Sequence, residues 1–258
     1  MKSRSQAAEA QDDERGMIKS LQKALAVLEE VAIAEKPLRI AEVALAVGIS
    51  RPTAHRIVHT LIAEGYLFQD PQSGRLSIGY SVLRQSASLL DSNRMRIEAL
   101  PHLQHLTNVS GERTNLGILH KNKVLYLAGV EKPTLPTIYS RFGKSAPAHC
   151  CSLGKAILAH LPEKQVQELV RAEPLVAQTP NSIISAGRFF DELEEIRKRG
   201  YATDNEEHMA QSFCVAATIF DGQNRAVGAI GLSGKRMDSL LEHVPLLRMT
   251  ADKISHVL

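Results

Sequence analysis

Arginines and histidines with a hydroxyl in front of them gather in one short stretch, Ser50, Arg51, Pro52, Thr53, His55, Arg56 and His59, and a further arginine, Arg75, follows. A guanidinium presents a planar fork of donors that matches the O6 and N7 acceptors of guanine and the oxygens of a phosphate, so the chemistry of this set is DNA recognition. Arg56 is the candidate for a bidentate base contact, and Arg51 reaches a base edge or a phosphate; Thr53, His55 and His59 are secondary contacts. Arg75 is expected near a hairpin tip, against the phosphate backbone or the minor groove.

A second group of reactive side chains is scattered downstream. His149, Cys150, Cys151, His208 and Cys214 are residue types that suit zinc, but there is no CxxC and no ligand pair across a helical turn. Small buried thiols and surface histidines are the plainer reading, so no metal is expected, and covalent sensing through a cysteine stands on no firmer ground. Gly154-Lys155-Ala156 lacks the hydroxyl and the upstream glycine of a phosphate loop, and Gly231-Leu232-Ser233-Gly234 is not a nucleophile elbow. No catalytic set assembles and no cofactor is implied. In the acidic run Asp204 to Glu207, a solvated strand end is as good a reading as a functional one for Glu206 and Glu207.

The elements that must position the arginines follow from spacing. Ile40, Val43, Ala44 and Val47 recur at helical period; Ala44 is small enough for a second helix to cross closely, and Gly48 sits where a sharp corner needs positive φ. Ser50 caps the next helix and Pro52 lies in its first turn, where a missing N–H costs nothing. Ala54, Ile57, Val58, Leu61 and Ile62 form its packed stripe, with Arg56, His55 and His59 on the free side. Tyr66 to Gln69 and Arg75 to Ile78 then alternate about an Asp70-Pro71-Gln72-Ser73-Gly74 turn. Together these predict a helix-turn-helix with a two-stranded wing.

Charge sets a limit on how such a reader works. Residues 17–80 hold seven Lys and Arg against six Asp and Glu, and the formal net charge of the 258-residue chain is only +3. Bulk attraction to nucleic acid is therefore weak, and affinity must come from a few placed contacts made by an oligomer. Hydrophobic content of 44% with 23% charged residues is ordinary for a globular protein of two domains. Three cysteines, two of them adjacent, argue against a disulfide framework and for a reducing cytoplasm; no run is apolar enough to span a membrane or to serve as a signal peptide.

Domains are expected at 17–80 for the winged reader, 81–93 for a linker helix and 94–258 for a second domain, behind a polar tail at 1–16 expected to be disordered. Met17 to Ala34 reads as a helix packing through Leu21, Leu25, Leu28 and Ala32, with Ala24 and Val31 alongside. Ser81 to Leu90 reads as the linker, with exposed apolar residues that could pair with a second copy. In the second domain Met95 to Thr107 is helical, with a bend at Pro101. Thr114 to His120 and Val124 to Val130 form a hairpin, and Thr137 to Phe142 is a third extended piece. Cys151 to Leu161, Glu163 to Ala172 and Phe189 to Arg199 are helices. Phe213 to Phe220 and Ala226 to Ser233 flank an Asp221-Gly222-Gln223-Asn224 turn, and Ser239 to Leu258 closes as a helix running through Pro245. The class is α+β: an antiparallel sheet with helices, able to hold a small molecule between its face and its loops.

Ser20 to Leu28, Gly48 to Arg56, Ser152 to Ala156, Gly200 to Glu207 and Cys214 to Ala217 together resemble the IclR family of bacterial transcriptional regulators over nearly the whole chain. The resemblance implies a winged helix-turn-helix, a linker helix and a GAF-like effector domain that binds a small molecule, usually a carboxylate. It also implies dimers, which can pair into tetramers, on double-stranded operator DNA. Carried over residue by residue, the effector pocket falls on Leu135, Ile138, Ala146, Ser152, Leu153, Asp204, Cys214, Gly231 and Ser233. Tyr139 to Gly143 and Asp204 to Glu207 look most like members that sense sugar acids. Asp204 fits a carboxylate ligand only by accepting from a ligand hydroxyl or by being protonated when buried. Gln211, where relatives often carry Gly, and Thr218, where they often carry Pro, are expected to reshape the pocket rim. A metal or thiol sensor, an enzyme fused to a DNA-binding module and a pure interaction scaffold are the alternatives to an effector-controlled regulator.

Overall fold

The computed structural model describes residues 17–131 and 143–258. The polar tail 1–16, the extended piece Thr137 to Phe142 and the pocket candidates Leu135 and Ile138 lie outside the described residues. The chain divides into two compact units between Asp91 and Ser92.

In the first unit, α1 (Lys19–Ile33) lies against α2 (Ile40–Val47) and α3 (Arg51–Ala63), and the strands β1 (Leu67–Gln69) and β2 (Leu76–Ile78) form the antiparallel wing. The core is Val27, Val31, Val43, Val58, Leu67 and Leu76. The face of α1 differs in part from expectation: Val31 and Leu28 meet the core as expected, but Val27 is buried with them and Leu21 and Leu25 are exposed. Two apolar stripes run side by side on this helix, and period alone does not say which one meets the core. The corner forms as the sequence requires, with Gly48 at φ 69 and the Ile49 amide donating to the Ala44 carbonyl at 2.9 Å, a left-handed helix stop. Leu38 bridges to Leu76 and ties the wing to the start of α2. Then α4 (Tyr80–Ser92) leaves the unit without a single buried residue.

The second unit begins with α5 (Arg94–Ser110), which runs on past Pro101. It continues through β3 (Arg113–His120), β4 (Lys123–Val130), β5 (Ser145–Pro147), a 3-10 turn (Ala148–Cys150), α6 (Ser152–Ala159), α7 (Glu163–Ala172), α8 (Ala186–Arg199), β6 (Ala202–Asn205), β7 (Phe213–Phe220), β8 (Ala226–Gly234), α9 (Met237–Glu242) and α10 (Val244–Ser255). The last two replace the single closing helix expected from the sequence. The break falls at His243 because Pro245, with no N–H, sits in the first turn of α10. Among the described residues the six strands of this unit pair antiparallel in the order β5-β4-β3-β8-β7-β6. One sheet face carries α5 and α10 through Leu103, Leu106, Leu116, Ile230 and Leu247, and the other carries α6 and α8 through Tyr126, Leu153, Ile157, Phe189 and Leu193. Each such side chain stabilises the fold by roughly 1.5–3 kcal/mol on leaving water. All of α6 is buried, and its first residues, Ser152 and Leu153, line a cleft beside the sheet.

Candidate functional site

On α3 the expected division of faces holds. Ala54 and Val58 are buried, while Ser50, Arg51, Pro52, His55, Arg56 and His59 are exposed and Thr53 is half-buried. Ser50 accepts the Thr53 amide at 3.4 Å and its hydroxyl lies 2.8 Å from that of Thr53, so the two hydroxyls are engaged in starting the helix. Arg75 departs from a free wing tip. Its Nη1 donates to the Pro37 carbonyl at 2.6 Å and stands 3.9 Å from Glu42, whose carboxylate also accepts the Arg39 amide at 2.6 Å at the start of α2. Arg75 thus staples the wing to the helix pair, a role that a reading by strand position alone does not expose.

In the second unit the register brings the effector candidates together. Asp204 in β6 pairs with Cys214 in β7, and Cys214 pairs with Ser233 in β8, so three neighbouring strands present these side chains in one row. Gly231 pairs with both Ala216 and Asn115 one step further along. Asn115 donates to Ser233 Oγ at 3.2 Å, and Cys214 Sγ lies 3.3 Å from the same oxygen. Ser152 and Leu153, at the uncapped N-terminal end of α6, close the row from above. The resulting cleft has about 330 Å³ of empty space counted out to its mouth, lined also by Tyr126, Cys151, His208 and Ser212. His208 was weighed in the sequence only as a metal-ligand candidate, and Asn115, Tyr126 and Ser212 were not singled out; Asn115 and Tyr126 were hidden inside an apolar-looking hairpin.

Ala146 does not join this lining. From β5 it pairs with Val124 of β4 and is buried in the core that also holds α6. Thr218 is also away from the rim: its hydroxyl donates to the Ala156 carbonyl at 2.8 Å and steadies α6. Gln211 does bear on the rim, holding φ 58 next to Ser212 in a left-handed conformation that glycine adopts more easily.

Asp204 is 2% exposed and accepts the amides of Glu207 at 2.7 Å and His208 at 3.3 Å. Burial outweighs those two donors and pushes its carboxyl up to about 6, with the nearby Glu207 charge adding to the shift. The solvated reading of Glu207 fails: it is 6% exposed and takes Lys155 Nζ at 2.6 Å. Lys155, 1% exposed, also meets Glu192 at 3.7 Å, and Glu192 accepts Arg199 at 2.8 Å. The alternation of charge along the chain gave no sign of this, because the partners are far apart in sequence.

Two of the three thiols, Cys150 and Cys151, do not favour a sensor. Burial raises Cys150 to about 12 and Cys151 beyond that, so both stay protonated. Among the described residues no three His, Cys, Asp or Glu side chains gather where they could hold a metal ion. His149, expected at the surface, is buried with Nε2 3.1 Å from the Val176 carbonyl.

Residues 87–256 match the family pattern described as the bacterial transcriptional regulator IclR C-terminal domain, and residues 20–71 match the IclR helix-turn-helix domain. The chain belongs to the IclR family. It is 30% identical over 242 residues to the transcriptional repressor IclR of Escherichia coli strain K12, covering 93% of this chain and 85% of that one. An IclR transcriptional regulator structure from Alicyclobacillus acidocaldarius aligns with a TM-score of 0.81 at 26% identity, covering 93% and 98% of the two chains. A Microbacterium hydrocarbonoxydans IclR homologue, solved with 4-hydroxybenzoate, aligns with a TM-score of 0.77 at 23% identity over 92% and 98%. As an IclR-family transcriptional regulator, this protein carries its DNA-binding helix-turn-helix in the first unit, and the relatives it matches are regulators and repressors rather than enzymes. No helix among the described residues is long and apolar enough to cross a membrane.

Proposed function

We propose that this is a cytoplasmic regulator whose affinity for a palindromic operator is set by a small organic acid bound at Ser152, Leu153, Asp204, Cys214, Gly231 and Ser233. The observation that carries this reading is the in-register row Asp204, Cys214 and Ser233 beneath the uncapped start of α6. Backbone amides at a helix N-terminus favour a carboxylate, and the hydroxyl and amide of Ser233 and Asn115 suit a polar ligand body. Asp204, raised toward neutrality, can accept from a ligand hydroxyl when ionised or donate when protonated.

On the DNA side, Arg56 and Arg51 make the specific contacts, with Ser50, Pro52, Thr53, His55 and His59 along the same edge and Arg75 supporting the wing. The protein acts as a homo-oligomer, a dimer or a pair of dimers, so that two recognition helices reach successive half-sites. Exposed Tyr80, Leu83 and Leu89 on α4 offer apolar surface for pairing. Effector binding changes operator affinity through a coupling of about 1–3 kcal/mol, enough for a several-fold to hundredfold response.

The test has two arms. Thermal shifts with a panel of small carboxylates, beginning with hydroxylated aromatic and sugar acids, identify a ligand by its stabilisation of the folded chain. Gel shifts on the DNA upstream of its own gene then compare affinity with and without that acid. Binding that any competitor DNA removes equally, or an operator affinity indifferent to a confirmed ligand, overturns the reading.

A further inference from the structure

A second cavity lies in the same unit and shares no lining residue with the effector cleft. It opens between α7, the segment that follows α7, the 3-10 turn and the start of β4, with about 620 Å³ of empty space counted out to its mouth. Its walls are apolar, built from Pro147, Leu158, Val166, Leu169, Leu175 and Phe189. A mostly apolar lining with a few placed polar groups is the composition of a small-molecule site.

The polar residues lining the cavity are Asn122, Lys123, His149, Glu173 and Gln178. His149 lines it, is 9% exposed, and meets Phe189 edge-on with ring centroids 6.5 Å apart. The Val176 carbonyl can only accept, so His149 Nε2, at 3.1 Å, carries the proton of that bond. Burial holds the imidazole below its usual pKa, against an upward pull from Glu173, so the ring is neutral at pH 7. A neutral ring protonated on Nε2 has an acceptor at Nδ1, and no hydrogen-bond partner for Nδ1 is found among the described residues. Any ligand that satisfies this nitrogen must bring a donor. Lys123 and Glu173, also among the lining residues, carry opposite charges, so the site has no net pull on an anion or a cation.

We infer that this cavity binds a small uncharged aromatic alcohol, a phenol in the simplest case, with its ring against Leu158, Leu169 and Phe189 and its hydroxyl donating to His149 Nδ1. This site stands apart from the effector cleft, and neither reading depends on the other.

The test uses 2-naphthol, titrated by fluorescence into the full chain at pH 7, with 2-methoxynaphthalene and 2-naphthoate as comparators. The expected result is saturable binding of 2-naphthol, about tenfold tighter than 2-methoxynaphthalene, which lacks the donor. Naphthoate binds no tighter than the ether. Leu169→Trp fills the cavity and abolishes binding, whereas Ser233→Leu in the other cleft leaves it unchanged. His149→Phe makes naphthol and its ether bind equally, a ratio that decides the matter even if Leu169→Trp fails to fold. No saturable binding, equal affinities for naphthol and ether in the parent chain, full affinity in folded Leu169→Trp, or loss of binding in folded Ser233→Leu overturns the inference.

Discussion

Lys155 Nζ lies 2.6 Å from Glu207 Oε1 although the two residues are 52 positions apart, and both side chains are almost wholly buried. The backbone amide of Glu207 at the same time holds Asp204 Oδ1. One ion pair therefore fixes the loop that orients the Asp204 carboxylate in the proposed effector cleft. Glu207 Oε2 has no hydrogen-bond partner among the described residues, so the loss of Lys155 leaves a buried carboxylate with little compensation. Lys155→Met is expected to cost about 3–5 kcal/mol, and the double change Lys155→Met with Glu207→Leu to recover most of it. Urea melts of the second domain measure both; additive losses in the double variant would sink the idea that the pair acts as a unit.

Stability should fall as pH rises through the range in which Asp204 titrates. An acid whose pKa is raised on folding, here from 3.8 to about 6, binds its proton more tightly in the folded state. Its contribution is fully present below 3.8, declines as pH climbs to about 6 and is flat above, a change of about 3 kcal/mol at most. Glu207 is shifted the same way, also chiefly by burial. Asp204→Asn keeps an oxygen for the two amides and removes the titration. It should melt higher than the parent at pH 7.5 and lose that advantage at pH 4. Identical pH profiles for parent and variant would be the contrary result.

Arg56 and Arg75 should separate cleanly in DNA binding. Arg56→Ala removes an exposed donor from the reading face and is expected to weaken a specific site by about 1–3 kcal/mol while leaving the fold intact. Arg75→Ala instead releases the Pro37 carbonyl and loosens the wing, lowering the melting temperature of the first domain. Gel shifts across a salt series, paired with melts, distinguish them; a stable Arg75→Ala with a reduced salt slope would mean that Arg75 touches phosphate directly.

Gly154→Ala sets two effects against each other. Helix propensity favours alanine by about 1 kcal/mol. The new Cβ, however, would lie 2.2 Å from the Ala148 carbonyl oxygen, where the 3-10 turn folds back on α6. Sterics should win, with a net loss of about 1–3 kcal/mol. A gain in stability would show that the turn can slide off the helix.

Much of the fold was legible because local patterns decide it. Gly48 and Ser50 fix the corner of the reader, and the turns at Lys121 to Lys123 and Asp221 to Asn224 fix two hairpins. What was not legible depends on long-range register. Nothing local says that Asp204, Cys214 and Ser233 share one row, nor that a carboxylate at Glu207 finds an amine at Lys155. The same limit hid His149, which looks like any surface histidine until α7 and Val176 cover it. On α1 the choice between the Leu21 stripe and the Val27 stripe was made by the neighbours of the helix, not by its own period.

The complete burial of α6 and the bare surface of α4 predict opposite behaviour in deuterated water. Amides in the middle of α6 can exchange only when the whole second domain opens, so their rates report its global unfolding free energy. Those of α4, a helix that buries none of its side chains, can exchange by fraying. The helix at the proposed effector cleft is thus expected to exchange late and α4 early, so an effector or operator that acts on this chain should register first as slower exchange between Tyr80 and Ser92.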